Sequence, residues 1–150
     1  MICREIGFVN QGCFRAFYLL DGKEINTHFI FENEFVTDYD SFLQHKPSRY
    51  FIQALEATEI VTFQLEALHN AYNQSKNWER FGRMIAEQSY KTTTKRVESF
   101  LFLNAEQRYL ELLENQSQLL NRIPLYHIAS YLGIERESLS RLRKKITRET

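Results

Sequence analysis

The chain has 150 residues, of which 43% are hydrophobic, 14% aromatic and 25% charged, a composition that excludes the disordered, collagenous and disulfide-stapled classes. A chain of this length buries about 68 to 70% of the surface it exposes when unfolded, so a core forms without a metal or a disulfide. Nineteen basic and nineteen acidic residues cancel, yet residues 1–75 carry five basic against ten acidic side chains and residues 76–150 carry fourteen against nine, which makes the second half the candidate for contact with a polyanion.

The first sixty or so residues are predicted to be strands. Arg4 to Asn10 alternates around Ile6 and Phe8, and a short turn at Asn10, Gln11 and Gly12 leads into the apolar stretch Cys13 to Leu20. Asp21-Gly22 is the strongest hairpin signal in the chain and links that stretch to Lys23–Phe31, where Ile25, Thr27, Phe29 and Phe31 share one face by the period-two rule. A further pairing is predicted between Tyr50–Leu55 and Thr58–Phe63 across a tight connection at Glu56 and Ala57, with the polar segment Thr37–Lys46 inserted in an otherwise meander-like antiparallel unit. Cys3 and Cys13 are too few for a disulfide framework or for the thiolates of an iron–sulfur cluster and read as buried or free thiols. The longest apolar run, Ala16 to Leu20, is far below the ~20 residues of a membrane-spanning helix, and no signal-peptide pattern opens the chain. The expected location is the cytoplasm, with no membrane partner.

From Leu65 the period changes to 3.6. Leu65, Leu68, Ala71 and Tyr72 give one amphipathic turn pair, and a long proline-free helix is predicted to run on toward Leu103, weakened locally by Gly82 and by Thr92-Thr93-Thr94. Its stripe of Trp78, Phe81, Met84 and Ile85 suits either packing within the chain or a parallel pairing with a second copy. Asn104 is a good cap for a helix over Ala105–Glu114, and Ile123-Pro124 opens another, with proline at or near its first position.

The informative segment is Leu125 to Lys144. Ile128, Leu132, Ile134, Leu139 and Leu142 are apolar, Ala129 is small where two short helices must cross, and Gly133 supplies the positive φ of the turn between them, which is the pattern of a helix-turn-helix. On the second helix, roughly Glu135 to Thr147, Leu139, Leu142 and Ile146 form a packing face, while Glu137, Ser140, Arg141 and Lys144 form another that is free to enter a major groove. Arg136 and Arg141 suit bidentate contact with guanine and Glu137 suits cytosine N4, with Ser140 on the same face. Arg143, Lys144, Lys145 and Arg148 suit phosphates, which position a helix without specifying sequence.

At these residues the chain resembles the catabolite-activator/Fnr-type (Crp-Fnr) family of bacterial transcription regulators. The resemblance is carried by Arg122-Ile123-Pro124-Leu125, by His127 through Ile134, by Arg136-Glu137-Ser138-Leu139-Ser140-Arg141, and by Ala105 through Tyr109. It implies base contacts by Arg136, Glu137 and Arg141. It also implies an α+β architecture: a cyclic-nucleotide-binding-like antiparallel β-roll over residues 1–73, a long dimerisation helix over 74–103 with Trp78, Phe81 and Ile85 at the interface, and a helix-turn-helix domain over 104–150. The implied function is that of a homodimeric, non-enzymatic regulator whose partners are double-stranded DNA and RNA polymerase.

Three departures from the family qualify this. The family's roll begins with a helix and strands before anything visible here, which would leave the first strand as an exposed edge, and the family's C-terminal β-hairpin wing has no room after Ile146. The segment Glu34–Arg49 also lacks the glycine of the family's phosphate cassette, while Asp38 and Asp40 stand where a short helix would begin and would repel an anion there. Glu34, Ser48 and Arg49 remain the candidate effector pocket, Arg49 serving otherwise as a partner for Asp38 or Asp40, and no cofactor is expected, a cyclic nucleotide included. His28, His45, His69 and His127 are too scattered for metal-ligand spacing and read as surface or structural residues. No nucleophile motif or glycine-rich phosphate loop occurs, so an enzyme is not expected. The competing function is a ligand-binding or protein-interaction module of the same fold without specific DNA binding.

Overall fold

A computed structural model describes residues 1–149. Six strands come first: β1 (Glu5–Gln11), β2 (Phe14–Leu20), β3 (Lys23–Ile30), β4 (Phe35–Val36), β5 (Phe51–Ala54) and β6 (Glu59–Gln64), with helix α1 (Tyr39–Gln44) between β4 and β5. Six helices follow: α2 (Leu65–Gln74), α3 (Lys76–Phe102), α4 (Ala105–Asn115), α5 (Leu119–Arg122), α6 (Leu125–Leu132) and α7 (Arg136–Glu149). This is the expected α+β order of an antiparallel roll, a long helix and a helical C-terminal unit. The four-residue α5 had no sequence signal of its own.

The strands form two three-stranded antiparallel sheets, ordered β4-β1-β6 and β3-β2-β5. The Asp21-Gly22 hairpin joins β2 to β3 as expected, with both residues at positive φ, 51° and 77°, as a type I′ turn requires. The predicted pairing of the two strands around Glu56-Ala57 does not form, and the unit is not a meander. Instead β1 pairs with β6, Glu5 opposite Gln64, and β2 pairs with β5, Phe17 opposite Phe51.

The physical reason lies at a corner. Residues 5–17 and 51–64 make one long antiparallel ribbon that bends from the first sheet into the second, with the Leu55 N–H donating to the Cys13 carbonyl at 3.0 Å beside the bend. Gly12 has φ +99°, and a Cβ there would lie 2.5 Å from Thr58 Cγ2 and 2.8 Å from the Ala57 carbonyl oxygen. The two short connections are therefore stacked corners of the ribbon, which resemble hairpin turns in the sequence because both need compact, permissive residues. The first strand is also not an edge, since β4 and β6 flank it on both sides.

β3 departs from simple alternation. The register against β2 shifts between Ala16 and Phe17, so that Ala16 faces His28 but Phe17 faces Asn26, leaving Thr27 as a bulge. The bulge puts Asn26 and Phe29 on the same side, toward α6, where Asn26 is fully buried and the Phe29 ring lies 5.3 Å from that of Tyr131. Ile25, grouped with Phe29 and Phe31 by period two, is exposed.

Three clusters make the core. The largest joins Tyr109, Leu112, Leu119, Ile123, Ile128, Ala129, Leu132 and Leu139 of the helical unit to Cys13 and Phe31 of the roll. Ile6, Phe42, Leu65 and Leu68 form a second, and Val9, Phe14 and Val36 a third. α3 buries none of its residues fully. Gly82, which weakens α3 as an isolated helix, leaves room for the Tyr72 side chain of α2, whose hydroxyl and ring a Cβ there would strike.

Candidate nucleic-acid interface

α6 and α7 are joined by a tight turn at Gly133. Gly133 ends α6 at φ +70°, the Ile134 N–H donates to the Ala129 carbonyl at 3.0 Å and the Gly133 N–H to that of Ser130 at 3.1 Å, the paired bonds of a Schellman motif. The last two orphan carbonyls are met from outside: Arg96 of α3 donates to Tyr131 O, and Arg108 of α4 donates to Leu132 O at 3.0 and 3.1 Å. All four C-terminal carbonyls of α6 are thereby satisfied, two of them by cations at the negative end of the helix dipole. Ala129, 2% exposed, sits at the crossing with α7.

α7 presents two faces. Leu139 is fully buried, with Leu142 and Ile146 packed on the same core. At 100° per residue Glu137, Ser140, Arg141, Lys144 and Arg148 lie opposite that stripe, and all five are exposed. Arg136 and Arg143 flank them on one side, also exposed. Arg141 donates to Ser138 Oγ at 3.1 Å, which holds its guanidinium along the helix. Lys145 lies on the other flank, where its ammonium contacts both carboxylate oxygens of Glu106 on α4 at 2.9 Å.

The roll grips the helical unit through buried polar groups that sequence reasoning missed. Arg15 of β2, 4% exposed, meets His127 Nδ1 of α6 at 3.0 Å, Asn26 Oδ1 at 3.2 Å, Glu24 at 2.6 Å and Gln53 at 2.6 and 2.8 Å. Ser130 Oγ accepts from the Asn26 N–H at 3.0 Å and donates to Glu24 O at 2.7 Å. At the other end Arg122 clamps Glu32 through two bonds of 2.7 and 2.8 Å and also pairs with Glu56. Burial, then the Arg15 guanidinium, pushes His127 down to about 4. The Arg122 hydrogen bond holds Glu32 down to about 2, and that of Arg15 holds Glu24 below the ordinary carboxylate range. A signal for this network did exist: Arg15 interrupts an otherwise apolar strand.

The remaining expected site residues are dispersed. Glu34 is exposed and accepts from the Phe31 N–H at 2.8 Å, while Ser48 and Arg49 lie exposed in the segment before β5. None of the three lines the crevice between α3 and α4. Arg49 forms no ion pair with Asp38 or Asp40 among the described residues, because Asp38 instead caps α1 by accepting from the Ser41 N–H at 3.0 Å, and Asp40 accepts from Gln44. On α3, Trp78 is exposed, but Phe81 and Ile85 are half-buried, and the Phe81 ring stands edge-on to Phe35 of the same chain at 5.7 Å. Met84 is exposed as well, and farther along α3 Tyr90, Val97 and Leu101 are 73%, 53% and 70% exposed, with Phe100 and Phe102 also at the surface. His127 and His69 are structural, the latter 2.7 Å from the Tyr39 hydroxyl, and no cluster of metal-ligating side chains exists among the described residues. Both cysteines are free thiols, and burial pushes Cys13 up to about 11. Among the described residues no helix is long and apolar enough to cross a membrane.

No family model and no curated protein matches the sequence. Solved structures match its fold. FixK2 of Bradyrhizobium japonicum gives a TM-score of 0.83 over 97% of this chain and 76% of its own, at 18% identity. The c-di-GMP-responsive global regulator CLP of Xanthomonas campestris gives 0.74 over 97% and 78%, at 19% identity. A regulator assigned to the Crp/Fnr family from Eubacterium rectale gives 0.73 over 98% and 71%, at 17% identity. The chain thus has the fold of Crp/Fnr-type regulators.

Proposed function

We propose that this chain is a DNA-binding transcription regulator that reads an operator through α7. The observation carrying the proposal is the division of α7, whose exposed face holds Glu137, Ser140, Arg141 and Lys144 while Leu139 anchors the opposite side. Arg136, Glu137, Ser140 and Arg141 address base edges, and Arg143, Lys144 and Arg148 address phosphates. Lys145 contributes to phosphate contact only by leaving Glu106.

The protein acts as a homodimer through α3. Tyr90, Val97 and Leu101 stand at i, i+7 and i+11, the spacing of a two-stranded seam, and this supports the C-terminal half of α3 as the pairing surface more than Phe81 and Ile85, which are engaged within the chain. Two copies related by a dyad read a palindrome with half-sites about one helical turn apart, or a multiple of that. RNA polymerase is the further partner of such a regulator, and its residence is the cytoplasm. The Asp38 cap on α1 supports an effector other than a cyclic nucleotide, since its carboxylate occupies the position a phosphate would take.

Selection of bound duplexes from a random library at low and moderate salt tests this. Enrichment of a palindrome is the expected result. Absence of binding at low salt would overturn the proposal in favour of an interaction module.

A further inference from the structure

The facing sides of α3 and α4 are polar where two packed helices would ordinarily meet on apolar stripes. α3 presents Thr92, Lys95, Arg96 and Ser99, at i, i+3, i+4 and i+7, to a crevice of about 170 Å³. α4 presents Arg108, Glu111 and Asn115 from the other wall, and His28 of β3 with the end of α6 closes the bottom. Neither Arg96 nor Arg108 has a carboxylate partner among the described residues: both are held by main-chain carbonyls and stack on the Phe100 ring at 4.6 Å. Glu111 is the one acid in the lining, and it faces Lys95 at 3.4 Å. The C-terminal end of α6 offsets about half a charge. The crevice therefore keeps an excess of positive charge, together with the hydroxyls of Thr92 and Ser99 and the side-chain amides of Asn115 and Gln116.

We propose that this crevice between α3, α4 and α6 binds a small, doubly charged oxyanion, a phosphate ester or a dicarboxylate. Lys95 with the neighbouring guanidiniums of Arg96 and Arg108 supplies the charge, and Thr92 and Ser99 donate hydrogen bonds to its oxygens. Burial, then the Arg96 charge, lowers His28 below the ordinary imidazole range. The site lies apart from the β-roll segment Glu34–Arg49 and from the exposed face of α7. Its occupant would touch the long helix, the first helix after it and the carboxyl end of α6 together, so binding would fix the helix-turn-helix relative to α3. The site stands whether or not α7 reads DNA.

The test is the melting temperature and titration calorimetry of the full chain in sodium phosphate and in sodium succinate, with ionic strength held constant by sodium chloride. A ligand of the native state raises the melting temperature as the logarithm of its concentration over Kd, so a saturable rise above the chloride control is expected with one anion or both, and the anion that acts identifies the class. Glu111→Gln should tighten Kd and Lys95→Gln weaken it, each by roughly fivefold per unit of charge on the anion, the effect of a pair of unit charges about 4 Å apart in water. Both side chains are at the surface, so the variants keep the fold. Lys23→Gln, beside the turn between β2 and β3 and away from the crevice, should change nothing. The proposal fails if neither anion gives a saturable rise, or if the rise is undiminished in Lys95→Gln.

Discussion

Arg15 and His127 meet 3.0 Å apart with both side chains 4% exposed or buried to that degree, one from the roll and one from the first helix of the helix-turn-helix. Arginine only donates, so Nδ1 of His127 must accept and the imidazole is neutral with its proton on Nε2. The Asn26 amide points a further donor at the same nitrogen from 3.3 Å. Protonation of His127 would place a proton between two donors and a charge beside a guanidinium.

This sets an acid sensitivity. His127 is held down to about 4 in the fold and returns to about 6.5 when unfolded, so the unfolded chain binds the extra proton first. Stability is complete above pH 6.5 and falls as pH drops toward 4, with a loss of about 2 kcal/mol between pH 7 and pH 5 from this group. Lower still, the carboxylates of Glu24 and Glu32 take up protons and their pairs with Arg15 and Arg122 are lost. Urea unfolding at pH 7 and pH 5 measures the first step, and equal stabilities would refute it.

Gly133→Ala forces a side chain into φ +70° and against Phe100, whose Cε1 would lie 2.8 Å from the new Cβ. The expected cost is about 1–3 kcal/mol, which for a chain of this size lowers Tm by about 2–4 °C per kcal/mol. Calorimetry decides. An unchanged Tm would mean that the turn relaxes without strain.

On DNA, Arg141→Ala should weaken binding to the selected operator by about 1–3 kcal/mol and relax one base position, whereas Lys144→Gln should weaken all sequences alike and reduce the salt slope by about one unit. Fluorescence anisotropy across a salt series separates the two. An Arg141→Ala protein with unaltered site preference would remove that residue from base reading.

Leu101→Glu, on the exposed seam of α3, should yield a monomer with unchanged circular dichroism. Ile85→Ala, behind the seam, should keep the dimer and lower the melting temperature instead, as truncation of a half-buried aliphatic side chain does. Sedimentation velocity reads both. The reverse assignment would return the interface to the Trp78–Ile85 end of the helix.

The helical unit was legible residue by residue because its determinants are local. Asn104 caps α4 and closes a capping box with Gln107, Pro124 precedes α6, and Gly133 makes the turn, each acting on neighbours within a few residues. The hairpin at Asp21-Gly22 was legible for the same reason. What stayed hidden depends on partners far along the chain: Gly12 gives no sign of the Ala57–Thr58 corner it lies against, and the Thr27 bulge that turns Asn26 inward has no signature of its own. Arg96 and Arg108 carry no local sign of the α6 carbonyls to which they donate. The Glu106 partner of Lys145 was hidden for the same reason, since it stands on another helix.

The shared core also governs the order in which the chain folds. The contacts of α4 through α7 are mostly local and form fast, whereas β1 must find β6 and β2 must find β5 across the whole length of the roll, a slow search. Yet the helical core is lined by Cys13 and Phe31 from that roll. A C-terminal unit excised at Leu103 should therefore be helical, loosely packed and prone to associate through the surface the roll normally covers.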